Sequence, residues 1–166
     1  GDLMKKDFLW APWRMDYISN PKKEKDIFLK KGQSQDDRNN LVLYRGVNVF
    51  VVMNLYPYNN AHLMVVPYAK HDDMTDLDNE VLSEIILISK KCMEILKSEL
   101  KCEGFNFGLN MGKAAGAGID DHLHYHIVPR WSGDSNFMPV IGHTKIIMES
   151  FFDTYDKLKP SFDLLK

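Results

Sequence analysis

The sequence is poor in the residues that stabilise small secreted proteins. It has two cysteines among 166 residues, and Cys92 and Cys102 are too few and too far apart for a disulfide framework or a Cys-x-x-Cys metal clip. Its apolar runs, such as residues 85–88, are far shorter than the roughly 20 residues that cross a bilayer. The N-terminus lacks the apolar stretch of a secretory signal. These absences favour a cytosolic protein with no membrane partner.

An excess of basic charge is also missing. The chain has 21 Lys and Arg residues and 23 Asp and Glu residues, which gives a net charge of −2. Proteins that bind duplex nucleic acid usually carry a long basic stripe, so we expect no nucleic-acid partner, and local groups must bind any anionic ligand. The hydrophobic content of 45% is enough for one compact domain with its own core.

The spacing of apolar residues predicts a single α+β domain over residues 1–166. An N-terminal extension (1–40), in which residues 8–40 are expected to be irregular, precedes a core (41–130) and a C-terminal loop and helix (131–166). Within the core, the pattern predicts strands at 41–45, 47–53 and 62–66, a long helix from about Asn79 to Leu100 that ends near Gly104, and strands at 105–111 and 123–129. A last helix is expected from Thr144 to just before Pro160. This order is typical of a mainly antiparallel five-stranded sheet covered by helices.

Three histidines on alternate residues are the most informative feature of the chain: His122, His124 and His126. An alternating run of this kind predicts a strand, which places the three imidazoles on one face and the residues between them on the other. Each ring needs partners for two nitrogens and can titrate near neutral pH. Such a row suits metal binding, proton transfer or nucleophilic attack.

Two further segments carry groups that could act together with these histidines. Residues 112–118 form a loop of glycine and alanine in which Lys113 supplies a charge. Its backbone N–H groups could approach an anion closely, although a flexible connector is the commoner meaning of such a loop. Asn54 follows one predicted strand and His62 begins the next. Alone, Asn54 would be a turn residue and His62 a residue at the base of a hairpin that donates one hydrogen bond.

Together these features resemble the histidine triad family of nucleotidyl hydrolases and transferases. The family signature is His-φ-His-φ-His-φ-φ, where φ is apolar, and residues 122–128 match it with the amphipathic Tyr125 at one φ position. The resemblance runs from about Leu41 to Arg130. The chain also resembles one branch of the family, the bacterial diadenosine-tetraphosphate phosphorylases or hydrolases, in residues 9–15, 56–60, 129–131 and 133–139.

The resemblance implies a catalytic role for four histidines. His124 would attack an α-phosphorus and form a covalent nucleotidyl-histidine, which divides one difficult displacement into two easier steps. His126 would contact the transferred phosphoryl group and help to protonate the leaving group. His122 and His62 would orient their neighbours and fix their tautomers.

The resemblance also implies a set of nucleotide-binding residues. They are Asn54, Asn110, Lys113, Gly116, Ala117, Gly118 and Trp131. Asn54 would bind the ribose hydroxyls, Asn110 and the loop N–H groups would hold phosphate oxygens, and Trp131 would lie on the substrate side. Lys113 and Arg130 would bind distal phosphates or serve only as solvated surface charges.

One departure from the family concerns a structural zinc. Many relatives in this branch carry a Cys-x-x-Cys pair where this chain has Asp26 and Leu29, and His71 resembles a third ligand of that site. A carboxylate and an imidazole without thiolates make a poor structural zinc site. We therefore expect no metal and no cofactor, with Phe28 and Leu29 packed at that corner.

Other functions stay open on the sequence alone. The second-step acceptor could be water or inorganic phosphate, and adenylylsulfate or nucleoside phosphoramidates could be substrates. The histidine row could instead ligate a metal, although three alternate residues span about 13 Å of strand and converge poorly on one ion. A non-catalytic nucleotide-binding protein is a third alternative. The resemblance further implies a homodimer. Residues 85–88 give the long helix apolar side chains on more than one face, which indicates a place near the dimer interface or, as the alternative, beneath the N-terminal segment of the same chain.

Overall fold

The computed structural model describes residues 25–54, 60–117, 122–134 and 151–165. An antiparallel sheet lies at its centre, and its strands are β1 (Val42–Arg45), β2 (Val49–Met53), β3 (Leu63–Pro67), β4 (Gly104–Gly108) and β5 (Tyr125–Arg130). Their spatial order is β1-β2-β3-β5-β4. The α-helices of the described residues are α1 (Ile27–Gln33), α2 (Asn79–Leu100) and α3 (Phe151–Asp163). The predicted α+β class, with five strands, one long helix and a C-terminal helix, is confirmed.

The two faces of the sheet bury different side chains, because successive residues of a strand point to opposite sides. On one face, α2 and α3 pack on the larger core, which includes Val51, Val65 and Ile127. On the other face, Phe28 of α1 belongs to a smaller apolar cluster with Met64 and its neighbours. Helix α1 therefore covers the face of the sheet opposite α2.

Helix α2 confirms the predicted span, but its C-terminus differs from the prediction. The helix ends at Leu100, where Lys101 adopts a left-handed conformation with a φ of 53° and donates its backbone N–H to the Lys97 carbonyl. Glycine is the residue that usually takes this position. Gly104, which was expected to end the helix, is instead the first residue of β4.

The apolar residues of α2 are only partly covered. Ile85 and Ile88 are buried under the sheet, whereas Ile86 and Leu87 keep 55% and 59% of their surface exposed. These two side chains are the extra apolar surface on which the predicted homodimer depends. Neither α2 nor any other helix among the described residues is long and apolar enough to cross a membrane.

Helix α1 lies inside the N-terminal extension that was expected to be irregular. Phe28 is 2% exposed and packs on the sheet. The Arg45 guanidinium of β1 donates to the carbonyl oxygens of Lys31, Gly32 and Ser34 at the helix C-terminus. A helix of seven residues is marginal on its own, so contacts from a distant strand stabilise it, and the prediction of irregular structure was wrong here.

Helix α3 continues through Pro160, although the sequence pattern predicts an end just before this proline. A proline inside a helix removes one backbone hydrogen bond and crowds the preceding turn. The buried residues Leu158 and Phe162, on either side of the proline, belong to the core beneath α2. Their burial outweighs the local cost. The predicted start at Thr144 lies outside the described residues.

Candidate active site

The histidines gather on the face of the sheet that α1 covers. His126 lies in β5 and pairs with Met64 of β3, while His122 and His124 come just before the strand, which begins at Tyr125 rather than Leu123. The residues between the histidines belong to the core beneath α2. The alternation therefore separates the imidazoles from the core, as the sequence predicts.

His124 is held in the tautomer that a nucleophile requires. Its Nδ1 lies 2.9 Å from the carbonyl oxygen of His122. A carbonyl oxygen can only accept, so Nδ1 carries the proton and the lone pair of the neutral ring is on Nε2. His124 is 8% exposed, and this burial lowers its pKa below the usual 6.5, against the weaker opposing effect of the carbonyl.

His122 joins the row to β3. Its Nε2 donates to the Pro67 carbonyl oxygen at 2.7 Å. Its Nδ1 is buried, and no group of the described residues bonds to it. Burial lowers the pKa of this ring as well. His122 therefore supports the row as a neutral ring.

Asn54, His62 and His126 form a chain of side-chain contacts. The Asn54 amide nitrogen lies 3.5 Å from His62 Nδ1, which is long for a hydrogen bond, and His62 Nε2 lies 2.8 Å from His126 Nδ1. When the amide nitrogen donates to His62 Nδ1 and the His62 proton lies on Nε2, each contact of the chain has one donor and one acceptor, and His62 donates to His126. His126 then carries its own proton on Nε2. Its ring centroid lies 4.7 Å from that of His124.

A cavity opens beside two of these histidines. Its lining residues are Asp72, Asn110, Gly112, Ala117, His122, Leu123 and His124. Asn110 and Ala117 were both predicted to bind the nucleotide, and the cavity brings them to the histidine row. Asp72 was not singled out in the sequence, because an aspartate in a polar loop carries no signal that distinguishes it from a solvated charge.

The small-residue loop forms backbone hydrogen bonds within itself. The backbone N–H groups of Gly116 and Ala117 donate to the carbonyls of Lys113 and Gly112, at 3.0 and 3.2 Å. Two of the predicted anion donors are thus used inside the loop in this conformation. Lys113 is exposed in the loop. Gly118 lies outside the described residues.

Trp131 and Arg130 lie far from the cavity. The Trp131 indole nitrogen donates to the Leu100 carbonyl at 3.1 Å, and its ring packs on the core beneath α2. Arg130 donates to both carboxylate oxygens of Asp134. About 23 Å of strand separates Trp131 from His124, so the structure does not bring Trp131 to the histidines. The substrate-side role of Trp131 therefore stays a prediction that the contacts of its ring do not test.

The corner that contains Asp26 and Leu29, where the resemblance implies a zinc site in related proteins, has a different chemistry in this chain. The Asp26 carboxylate pairs with Lys70 at 2.7 Å, and Leu29 offers no donor atom. Within the described ranges, no three His, Cys, Asp or Glu side chains are placed to hold a metal ion. The residues present do not fit a structural zinc. Phe28 fills this corner instead, and its ring centroid lies 5.5 Å from that of His122 and 5.0 Å from that of His124.

Comparisons with known proteins agree with this architecture. A Mycobacterium tuberculosis protein named AP-4-A phosphorylase is 39% identical over 154 residues, which cover 88% of this chain and 79% of that protein. A hypothetical histidine triad nucleotide-binding protein from Sulfolobus tokodaii shares the fold with a TM-score of 0.64 and 22% identity over 84% of this chain and 93% of its own. A zinc-bound histidine triad family protein from Mycobacterium smegmatis does so with a TM-score of 0.63 and 22% identity over 76% and 86%.

The family model described as the HIT domain matches residues 35–133, a range that contains the whole sheet and the histidine row. The chain belongs to the HIT family.

Proposed function

We propose that this HIT-family enzyme cleaves nucleoside polyphosphates such as diadenosine tetraphosphate at the α-phosphate, with His124 as the nucleophile. The observation that carries the proposal is the hydrogen bond from His124 Nδ1 to the His122 carbonyl, which leaves a lone pair on Nε2. The lowered pKa of His124 keeps that lone pair available near neutral pH. The name of the M. tuberculosis relative supports a diadenosine polyphosphate as the substrate.

In the first step, Nε2 of His124 forms a bond to the α-phosphorus as the bond from phosphorus to the bridging oxygen breaks. The ring then carries a positive charge, which the hydrogen bond from Nδ1 to the His122 carbonyl stabilises. The leaving polyphosphate departs as an anion. The Nε2–H of His126 donates a hydrogen bond to the leaving oxygen, because His62 holds the other nitrogen of that ring.

In the second step, an acceptor oxygen attacks the nucleotidyl-histidine and releases His124. Inorganic phosphate would yield ADP from diadenosine tetraphosphate, and water would yield AMP. We propose inorganic phosphate as the acceptor, because the 39% identical relative is named a phosphorylase. Asn110 lines the cavity with His124 and would donate its amide to a phosphoryl oxygen. Asn54 would contact the ribose, and Lys113 would lie near the distal phosphates.

The proposal also includes a cytosolic homodimer that needs no metal or cofactor. Ile86 and Leu87 leave an apolar strip exposed on α2, and covering such a strip removes apolar surface from water. A second copy of the chain is the simplest cover.

Product analysis tests the reaction directly. Wild-type protein is incubated with diadenosine tetraphosphate, with and without inorganic phosphate, and the nucleotides are separated. We expect ADP and ATP when phosphate is present. AMP and ATP at the same rate under both conditions would make the enzyme a hydrolase.

The variant His124→Ala tests the nucleophile. We expect turnover to fall by at least about 10³-fold, because the variant cannot form the covalent intermediate. Nucleotide binding should change little, because the substitution removes few contacts with the bound substrate. A substrate labelled at the α-phosphate should leave a protein-bound label in the wild type and none in the variant, after a quench that avoids acid. His71→Ala, an imidazole outside the row, is the control and should retain activity. Residual activity of His124→Ala within tenfold of the wild type would contradict the proposal.

A further inference from the structure

We propose that Phe28 is a positioning residue for the nucleophile: its ring is the apolar wall that excludes water from one side of His124 and fixes the orientation of the imidazole. The inference rests on the proposed role of His124 and concerns a residue in the short helix α1. This part of the chain is distant in sequence from the histidine row, and no alternation or motif connects the two.

The Phe28 ring packs against one side of the His124 ring. The two ring centroids lie 5.0 Å apart with an angle of 39° between the planes, within the range where aromatic rings attract each other. On another side, the His126 ring approaches at 4.7 Å and 73°. The Nδ1 atom is bonded to the His122 carbonyl. Two rings and one hydrogen bond therefore restrain the imidazole, so that Nε2 keeps a single direction.

The surroundings of α1 hold Phe28 in this position. Arg45 binds the carbonyl oxygens at the C-terminus of the helix and also donates to the Asp37 carboxylate at 2.9 Å. A cation at a helix C-terminus is favourable because the carbonyl ends carry partial negative charge. Before the first turn, Asp26 pairs with Lys70. Polar contacts thus hold the helix at both ends. Phe28 lies between them, with 2% of its surface exposed.

The Phe28 ring also affects the pKa of His124. Burial is the main cause of its lowered pKa, and Phe28 supplies part of that burial. A smaller side chain would admit water, which would solvate the imidazolium and raise the pKa of His124 toward its usual value. Protonated His124 has no lone pair with which to attack. Among the described residues, the charged or titratable groups near this corner include His122, His126, His71, Lys70, Asp72 and Asp26.

The test compares substitutions at two phenylalanines of one apolar cluster. Phe28→Leu and Phe50→Leu each remove a buried ring from this cluster, but Phe50 stacks on Tyr68 with centroids 5.4 Å apart rather than on a triad histidine. Urea unfolding shows whether the two variants lose similar stability. Phe28→Ala is added as a stronger perturbation of the wall, and Phe28→Leu keeps the test valid if the alanine variant does not fold.

The kinetic readout is the pH profile of kcat for diadenosine tetraphosphate. In Phe28→Leu we expect the acidic limb to move to higher pH by about 0.5 to 1 unit, which is about a threefold to tenfold loss of kcat below that limb. Phe28→Ala should move the limb further. Phe50→Leu should leave it where it is in the wild type.

An NMR titration of the His124 imidazole without substrate separates this inference from the proposed function. The resonance is assigned by its loss in His124→Ala. We expect the pKa of His124 to rise in Phe28→Leu and to stay unchanged in Phe50→Leu. An equal pKa in the wild type and in Phe28→Leu would overturn the inference. If the pKa rises but the wild type does not turn over diadenosine tetraphosphate, the positioning of His124 by Phe28 stands and the proposed function fails.

Discussion

Replacement of Tyr125 by phenylalanine is expected to stabilise the protein. Tyr125 is 4% exposed on the core side of β5, and its hydroxyl is buried with no hydrogen-bond partner among the described residues. An unsatisfied buried polar group costs about 1–3 kcal/mol. The variant keeps the ring, whose centroid lies 6.2 Å from that of Phe107. We expect the free energy of unfolding to rise by about 1–2 kcal/mol, which is about 2–8 °C in Tm for a chain of this length.

Tyr155 provides a matched control with the opposite sign. It is 3% exposed, but its hydroxyl donates to the Val42 carbonyl at 2.9 Å. Burial raises its pKa to about 12. Tyr155→Phe should therefore lower the free energy of unfolding by about 0.5–1.5 kcal/mol. Urea and thermal unfolding of both variants give the comparison. If Tyr125→Phe destabilises the protein as much as Tyr155→Phe does, the reasoning about the unsatisfied hydroxyl is refuted.

Three further outcomes concern acid, zinc and assembly. Burial lowers the pKa of His122 and His124, so the stability they contribute is present above about pH 6.5 and is lost as the pH falls toward their folded pKa, at up to about 1.4 kcal/mol per pH unit for each ring. Urea unfolding midpoints measured from pH 8 to 5 report this loss. If His122→Asn loses stability with falling pH as steeply as the wild type, the prediction is contradicted. The purified protein should contain no stoichiometric zinc and should keep its Tm in chelator, whereas one zinc per chain by elemental analysis would disprove this. Light scattering at micromolar concentration should give about twice the chain mass of 19.2 kDa, with Leu87→Asp shifting the mass toward the monomer, and a wild-type monomer would end the dimer proposal.

Local patterns were enough to predict the sheet and the long helix. Alternation identifies the strands, and α2 repeats its apolar spacing over 22 residues, so neither depends on a distant partner. Helix α1 escaped prediction because Arg45 and the sheet stabilise it from elsewhere in the chain. The end of α3 was misplaced for a related reason, since burial on both sides of Pro160 overrides a local signal that normally ends a helix.

The site shows the same division between local pattern and tertiary contact. The histidine row and its separation from the core follow from alternation. The protonation pattern does not, because it is set by the carbonyls of Pro67 and His122, which no residue type specifies. Phe28 had only a packing role in the sequence analysis, and its contact with His124 depends on how α1 folds onto the sheet. The contacts of Trp131 with the Leu100 carbonyl and with the core beneath α2 likewise depend on the folded chain, and its predicted place on the substrate side stays a prediction.

The segment that contains β5 has a consequence for how this protein can change. Core residues and histidines occupy alternate positions along one stretch of backbone, and β5 is paired with β3 on one side and β4 on the other. Deletion of one residue between Leu123 and Ile127 would turn every later side chain to the opposite face. A ring that belongs at the cavity would then be driven into the core, while a core residue would face solvent. Single substitutions here can affect stability or activity separately, but a change in length removes both at once.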